Sequence, residues 1–160
     1  MQAWANFFLA EAGASAALTG LIFVGVSLNL TKILAMPRLP SRALEALVLL
    51  MSVLITSSLL LVPDQPLILI GAEMTIIGLV TTSLMTRLDL RIRRDTDKQY
   101  RRAFLLNMVL SQIASLPYLI AGLFVLAGKI DGLYVLVVGV IFSFIKALLD
   151  AWVLLVEINR

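Results

Sequence analysis

Five apolar runs, residues 7–30, 43–62, 67–85, 103–127 and 133–155, occupy most of this 160-residue chain. Each is near the ~20 residues a helix needs to cross the ~30 Å hydrocarbon layer. Lipid offers the backbone no water, so such a run must close its N–H and C=O groups within a helix. That requirement points to an all-α, polytopic transmembrane bundle of about five spans, with residues 1–160 forming a single domain. Composition agrees: charged residues make up 14%, against about a quarter in a soluble domain. Pro63-Asp64-Gln65-Pro66 is too short for anything but a hairpin turn, and Gly128-Lys-Ile-Asp-Gly132 serves the same purpose. No Lys or Arg precedes the first run, which therefore reads as a retained span rather than a cleaved leader.

The basic residues set the direction. Lys32, Arg38 and Arg42 flank the first connection, and Arg87, Arg91, Arg93, Arg94, Lys98, Arg101 and Arg102 the third. The other two connections hold Lys129 alone, so the count is ten to one. The positive-inside rule then puts the first and third connections in the cytoplasm, the N-terminus outside and the C-terminus inside. Trp4, Tyr118 and Tyr134 fit an outer interfacial belt and Trp152 an inner one. Topology accounts for the basic residues better than nucleic acid does. Arg91, Arg93, Arg94, Arg101 and Arg102 also form a surface that attracts anionic lipid headgroups, although Asp89, Asp95 and Asp97 offset part of it.

The chain has neither cysteine nor histidine. Disulfides, thiolate nucleophiles, imidazole-bound metals and His-based general-base catalysis are therefore excluded. No nucleophile motif, metal cluster or phosphate loop is visible, so the expectation is a non-enzyme without a cofactor.

Charges within the spans carry the remaining information, because each costs roughly 2.5–3.5 kcal/mol at a helix centre unless it is paired or faces a cavity. Lys146 lies deep in the fifth span, and its Cβ tilts toward the bilayer centre. Its expected partners are Asp150, one turn on, and Glu45 of the second span. Glu73 lies in the third span and forms, with Glu11, a candidate cation site; a single interhelical hydrogen bond is the alternative. Asn107, Ser111, Gln112 and Ser115 in the fourth span precede Pro117, which marks a kink.

At about 100° per residue, Glu11, Ser15, Leu18, Ile22, Gly25 and Asn29 form one stripe of the first span. A broad opposite side carries Ala12, Gly13, Ala16, Ala17, Gly20 and Ser27. Small residues four apart let helix backbones approach closely in lipid. The stripe has the order expected of a pore lining: acid, hydroxyl, aliphatic middle, amide. Its plainer alternative is that Glu11 reaches headgroup water and Asn29 merely ends the helix.

The segment Ala12-Gly-Ala-Ser-Ala-Ala-Leu-Thr-Gly-Leu-Ile-Phe-Val-Gly-Val-Ser-Leu-Asn-Leu30, with Pro37–Arg42 and the second span, resembles a group of small, mostly uncharacterised bacterial multi-span membrane proteins with a Gly/Ala-rich first helix. The resemblance covers roughly the first 65 residues. It implies an inner-membrane location and no activity. The function expected from the residues is a small homo-oligomeric, cation-conducting channel lined by the first helix. The alternative is a non-conducting scaffold or regulatory subunit of a larger membrane complex.

Overall fold

A computed structural model describes residues 2–36, 38–94 and 101–156. The described residues form six helices: α1 (Gln2–Leu28), α2 (Leu30–Ala35), α3 (Leu39–Leu60), α4 (Leu67–Arg94), α5 (Arg101–Leu126) and α6 (Gly132–Leu155). All but α2 are long and apolar enough to cross a membrane. This is a membrane protein of five candidate spans, and none of the described residues forms a strand.

Several boundaries differ from the sequence expectation: α1 starts at Gln2 and α3 at Leu39, each about a turn early. The first run breaks at Asn29, whose backbone (φ −108°, ψ 15°) leaves the helical region while its Nδ2 donates to the Gly25 carbonyl at 3.0 Å. The short α2 follows, with Ile33 buried against Leu39, Ala43 and Leu154. The third run does not stop at residue 85. Met85, Leu88 and Ile92 keep an inward apolar face, and α4 continues to Arg94.

The turns are built from local chemistry. Gly128 (φ +81°) closes α5 with Lys129 N–H donating to Phe124 O at 2.9 Å and Gly128 N–H to Val125 O at 2.9 Å. This pair of bonds satisfies the last carbonyls of α5 at a left-handed position that suits glycine. Asp64 (φ 55°) turns the other hairpin. Helix α5 runs continuously through Pro117.

The order of packing is α1 on α3, α3 on both α4 and α6, and α5 between α4 and α6. Trp4 meets Tyr134 edge-on at 5.1 Å, joining the starts of α1 and α6. Gly25 lies against Leu155 near their other ends, so the two helices run parallel. The ends that carry the basic connections are called the basic end below. Tyr118 is not interfacial: it is fully buried, and its hydroxyl is 3.2 Å from Ser143 Oγ. Most other hydroxyls in the spans bond a carbonyl of their own helix, as Thr19 does to Ser15 and Thr75 to Gly71, both at 2.7 Å. Such back-bonds spare a polar group from facing hydrocarbon alone.

Helices α4 and α5 approach most closely. A Cβ added at Gly78 would stand 2.3 Å from Leu119 N, at Gly71 2.4 Å from Leu126 N, and at Gly122 2.4 Å from Thr75 N. Backbone lies against backbone there, and each glycine is required by space rather than by its φ.

Candidate functional site

An ionic network is buried inside the bundle at the basic end. Glu45, Asp89 and Asp150 lie five or six residues from the ends of α3, α4 and α6, which is about 8–9 Å of helix. Lys146 lies nine residues from the end of α6. Lys146 is 1% exposed, Glu45 0%, Asp89 1% and Asp150 1%.

Lys146 is the centre. Its Nζ donates to Glu45 Oε2 at 2.8 Å and to Asp150 Oδ2. The guanidinium of Arg42, a quarter exposed, stands 3.9 Å from Asp150 Oδ1 and closes the network toward the basic end. Asn107 of α5 bridges the rest, donating from Nδ2 to Glu45 Oε2 at 3.4 Å and to Asp89 Oδ1 at 3.3 Å. Ser111 Oγ donates to the same Asp89 oxygen at 3.4 Å. Four helices therefore meet at one polar knot. In a low dielectric such a knot is stable only if nearly every charge has a partner.

Two atoms lack one. Glu45 Oε1 and Asp89 Oδ2 are buried without a hydrogen-bond partner. Among the described residues the network sets three carboxyls against Lys146 and Arg42, and both cations are engaged by Glu45 and Asp150. Asp89 is left with the neutral donors Asn107 and Ser111. The amide of Gln112 also faces it, while donating to Thr86 Oγ1 at 3.3 Å.

A polar seam leads away from the knot along α5. Asn107, Ser111 and Ser115 recur every fourth residue and are all buried. Ser143 of α6 bonds the Ala114 carbonyl at 3.4 Å and meets Tyr118, which lies within electrostatic reach of Glu11 on α1.

The stripe on α1 faces into its own bundle. Ser15 is buried and bonds Ala12 O at 3.1 Å. Ile22 is buried with Ala46 and Leu50 of α3 and Ala147 and Ala151 of α6, with Leu18 packed beside it. Gly25 is covered by Leu155, while Glu11 and Asn29 are half-buried. Six residues expected to line a shared pore thus occupy the α1 packing face, because α3 and α6 supply the complementary surface. The small-residue side is the one left outward: Gly13, Ala16, Ala17, Gly20 and Ser27 are exposed, and Ala12 is half-buried at its edge.

Glu73 is half-buried and accepts from Gln65 Nε2 at 3.3 and 3.4 Å. Its partner is thus the hairpin glutamine, while Glu11 lies within electrostatic reach of Tyr118. Among the described residues no group of three or more acidic side chains has the geometry to hold a metal ion. Arg91 and Arg93 are exposed on α4; the side chains of Arg94, Arg101 and Arg102 lie outside those described.

Asp89 is the network member that sequence reasoning missed, by assigning it to the basic connection. The available signal was the three- and four-residue spacing of Met85, Leu88, Asp89 and Ile92, which carries the buried face of α4 past the end of its apolar run. The chain matches no protein-family model, no curated protein and no solved structure.

Proposed function

We propose that this protein is a non-conducting membrane scaffold or regulatory subunit that self-associates through α1. One observation carries the reading: Gly13, Ala16, Ala17 and Gly20 of α1 are turned outward, where the bundle provides no partner. A Cβ at Gly13 or Gly20 would meet nothing within 4 Å, whereas every glycine within α4 and α5 is pressed against a neighbouring helix. This fold spends glycine where backbones touch. Gly13, Ala16, Ala17 and Gly20 form a shallow notch between the exposed Leu9 and Leu21. Lipid tails gain little from such a surface, and a second helix gains close van der Waals contact. Two copies of the notch are complementary to each other across a two-fold axis, which makes a second copy the simplest occupant.

Gly13→Leu/Gly20→Leu is expected to convert the assembly to monomer without unfolding it, since nothing within the bundle is displaced. Mass measured in mild detergent and in nanodiscs tests this. A wild-type monomer in both environments would end the proposal.

A cation-conducting oligomer is the second reading, favoured by the buried polar seam between Glu11 and Asp89. Ion flux into liposomes containing the purified protein separates the two. The scaffold reading expects flux no greater than that of empty liposomes. A cation-selective flux reduced by Glu11→Gln would favour conduction instead.

A further inference from the structure

We propose that Asp89, with Glu45 beside it, forms an intramembrane proton-binding site whose carboxylic acid form belongs to Asp89.

Proximity is the first ground. One amide nitrogen, Asn107 Nδ2, lies 3.4 Å from a Glu45 oxygen and 3.3 Å from an Asp89 oxygen, so the two carboxyl groups are held side by side. Two like charges that close in a low dielectric repel strongly, and sharing a site with one proton removes the conflict. The unpartnered atoms are the second ground. Glu45 Oε1 and Asp89 Oδ2 have no hydrogen-bond partner, although both residues are at least 99% buried by their exposures of 0% and 1%. A proton on Asp89 Oδ2 turns a bare acceptor into a donor, and Glu45 Oε1 is the unpartnered acceptor of the same knot.

The groups facing the pair fix which carboxyl takes the proton. From α3 come Arg42 and Glu45, from α5 Asn107, Ser111 and Gln112, and from α6 Lys146 and Asp150. Lys146 already bonds Glu45 and Asp150, and Arg42 stands against Asp150, so among the described residues Glu45 has a bonded cation and Asp89 has none, Lys146 acting on it only from a longer range. A metal ion is the poorer fit. A hard cation wants about six or more oxygen ligands, and the acidic residues described do not form a metal-holding group. A hydronium ion of the aqueous phase gives up the proton and leaves as water, one O–H bond breaking there as one forms on the carboxylate, with no other bond of the protein changed.

The test is infrared spectroscopy of the full chain in lipid nanodiscs, in sodium-free buffer at neutral pH. A protonated-carboxyl stretching band is expected, unmoved by adding sodium chloride. Asp89→Asn should remove that component while Glu73→Gln leaves it, and helical content should be unchanged in both. Should Asp89→Asn not fold, isotope-labelled aspartate in the wild-type chain should shift the band. Absence of the band overturns the proposal, since Asp89 would then be ionised and neutralised by another group. Loss of the band on adding sodium overturns it in favour of a metal cation, and a band unaffected by both aspartate labelling and Asp89→Asn places the proton elsewhere.

Discussion

Lys146→Met is expected to destabilise the folded bundle by about 3–5 kcal/mol, the usual consequence of removing one partner from a buried ion pair. The loss is large because Lys146 serves two carboxyls at once, Glu45 and Asp150. Without it, three buried carboxyl groups face, among the described residues, only Arg42 and neutral donors. Asp150→Leu should cost less, because Lys146 keeps Glu45 and the change also releases Arg42 from a long contact of 3.9 Å. Removing Lys146 and Asp150 together should not restore stability, since Glu45 remains buried without its cation. Restoration requires Glu45→Leu/Lys146→Met/Asp150→Leu, for replacing a whole buried ionic set by apolar groups is often neutral. Unfolding free energies in bicelles give the ranking. If the triple change is as damaging as Lys146→Met alone, the network is not the source of the loss.

Gly78→Ala is expected to cost about 3 kcal/mol, at the upper end of the range for overpacking. The added Cβ would fall 2.3 Å from Leu119 N and 2.4 Å from Leu119 Cα. Both are backbone atoms and cannot rotate away, so α4 and α5 must move apart over the whole contact that Gly71 and Gly122 share. Ser52 and Thr81, whose hydroxyls meet at 2.7 Å between α3 and α4, would be drawn along with α4. Gly20→Ala on α1, measured in the dissociated monomer, is the control, with an expected change close to zero. Equal stability of Gly78→Ala and the wild type in an unfolding titration would show that the contact relaxes freely.

The five spans were legible because lipid permits so few architectures, and apolar length alone identifies the segments. The ionic knot was half legible. A lysine deep in an apolar run needs a partner, and Asp150 one turn away and Glu45 at a similar depth were the available carboxyls. Asp89 was not legible as a member, because it follows the apolar run and precedes a basic cluster, where charge looks like a solvated helix end. Helix α4 in fact continues to Arg94, and α5 lies so close that Asn107 and Ser111 enclose the carboxyl. On α1 the period was readable and the direction was not. A helix with a polar stripe and a small-residue side packs on whichever one its neighbours complement, and Ala46, Leu50, Ala147 and Ala151 complement the stripe. Hydrophobic periodicity separates inside from outside for a helix in water; in a bilayer both sides of α1 are mostly apolar, and the contrast disappears.

Association through the outward side of α1 is tested most directly by energy transfer between copies in liposomes. The chain has no cysteine of its own, so Lys129→Cys, on the exposed turn between α5 and α6, offers one labelling position. Donor- and acceptor-labelled copies should show transfer that persists as lipid is added in excess, and Gly13→Leu/Gly20→Leu should reduce it to the level of random encounters. Transfer at the random level for the wild-type chain, or transfer unchanged by the paired substitution, would contradict self-association through α1.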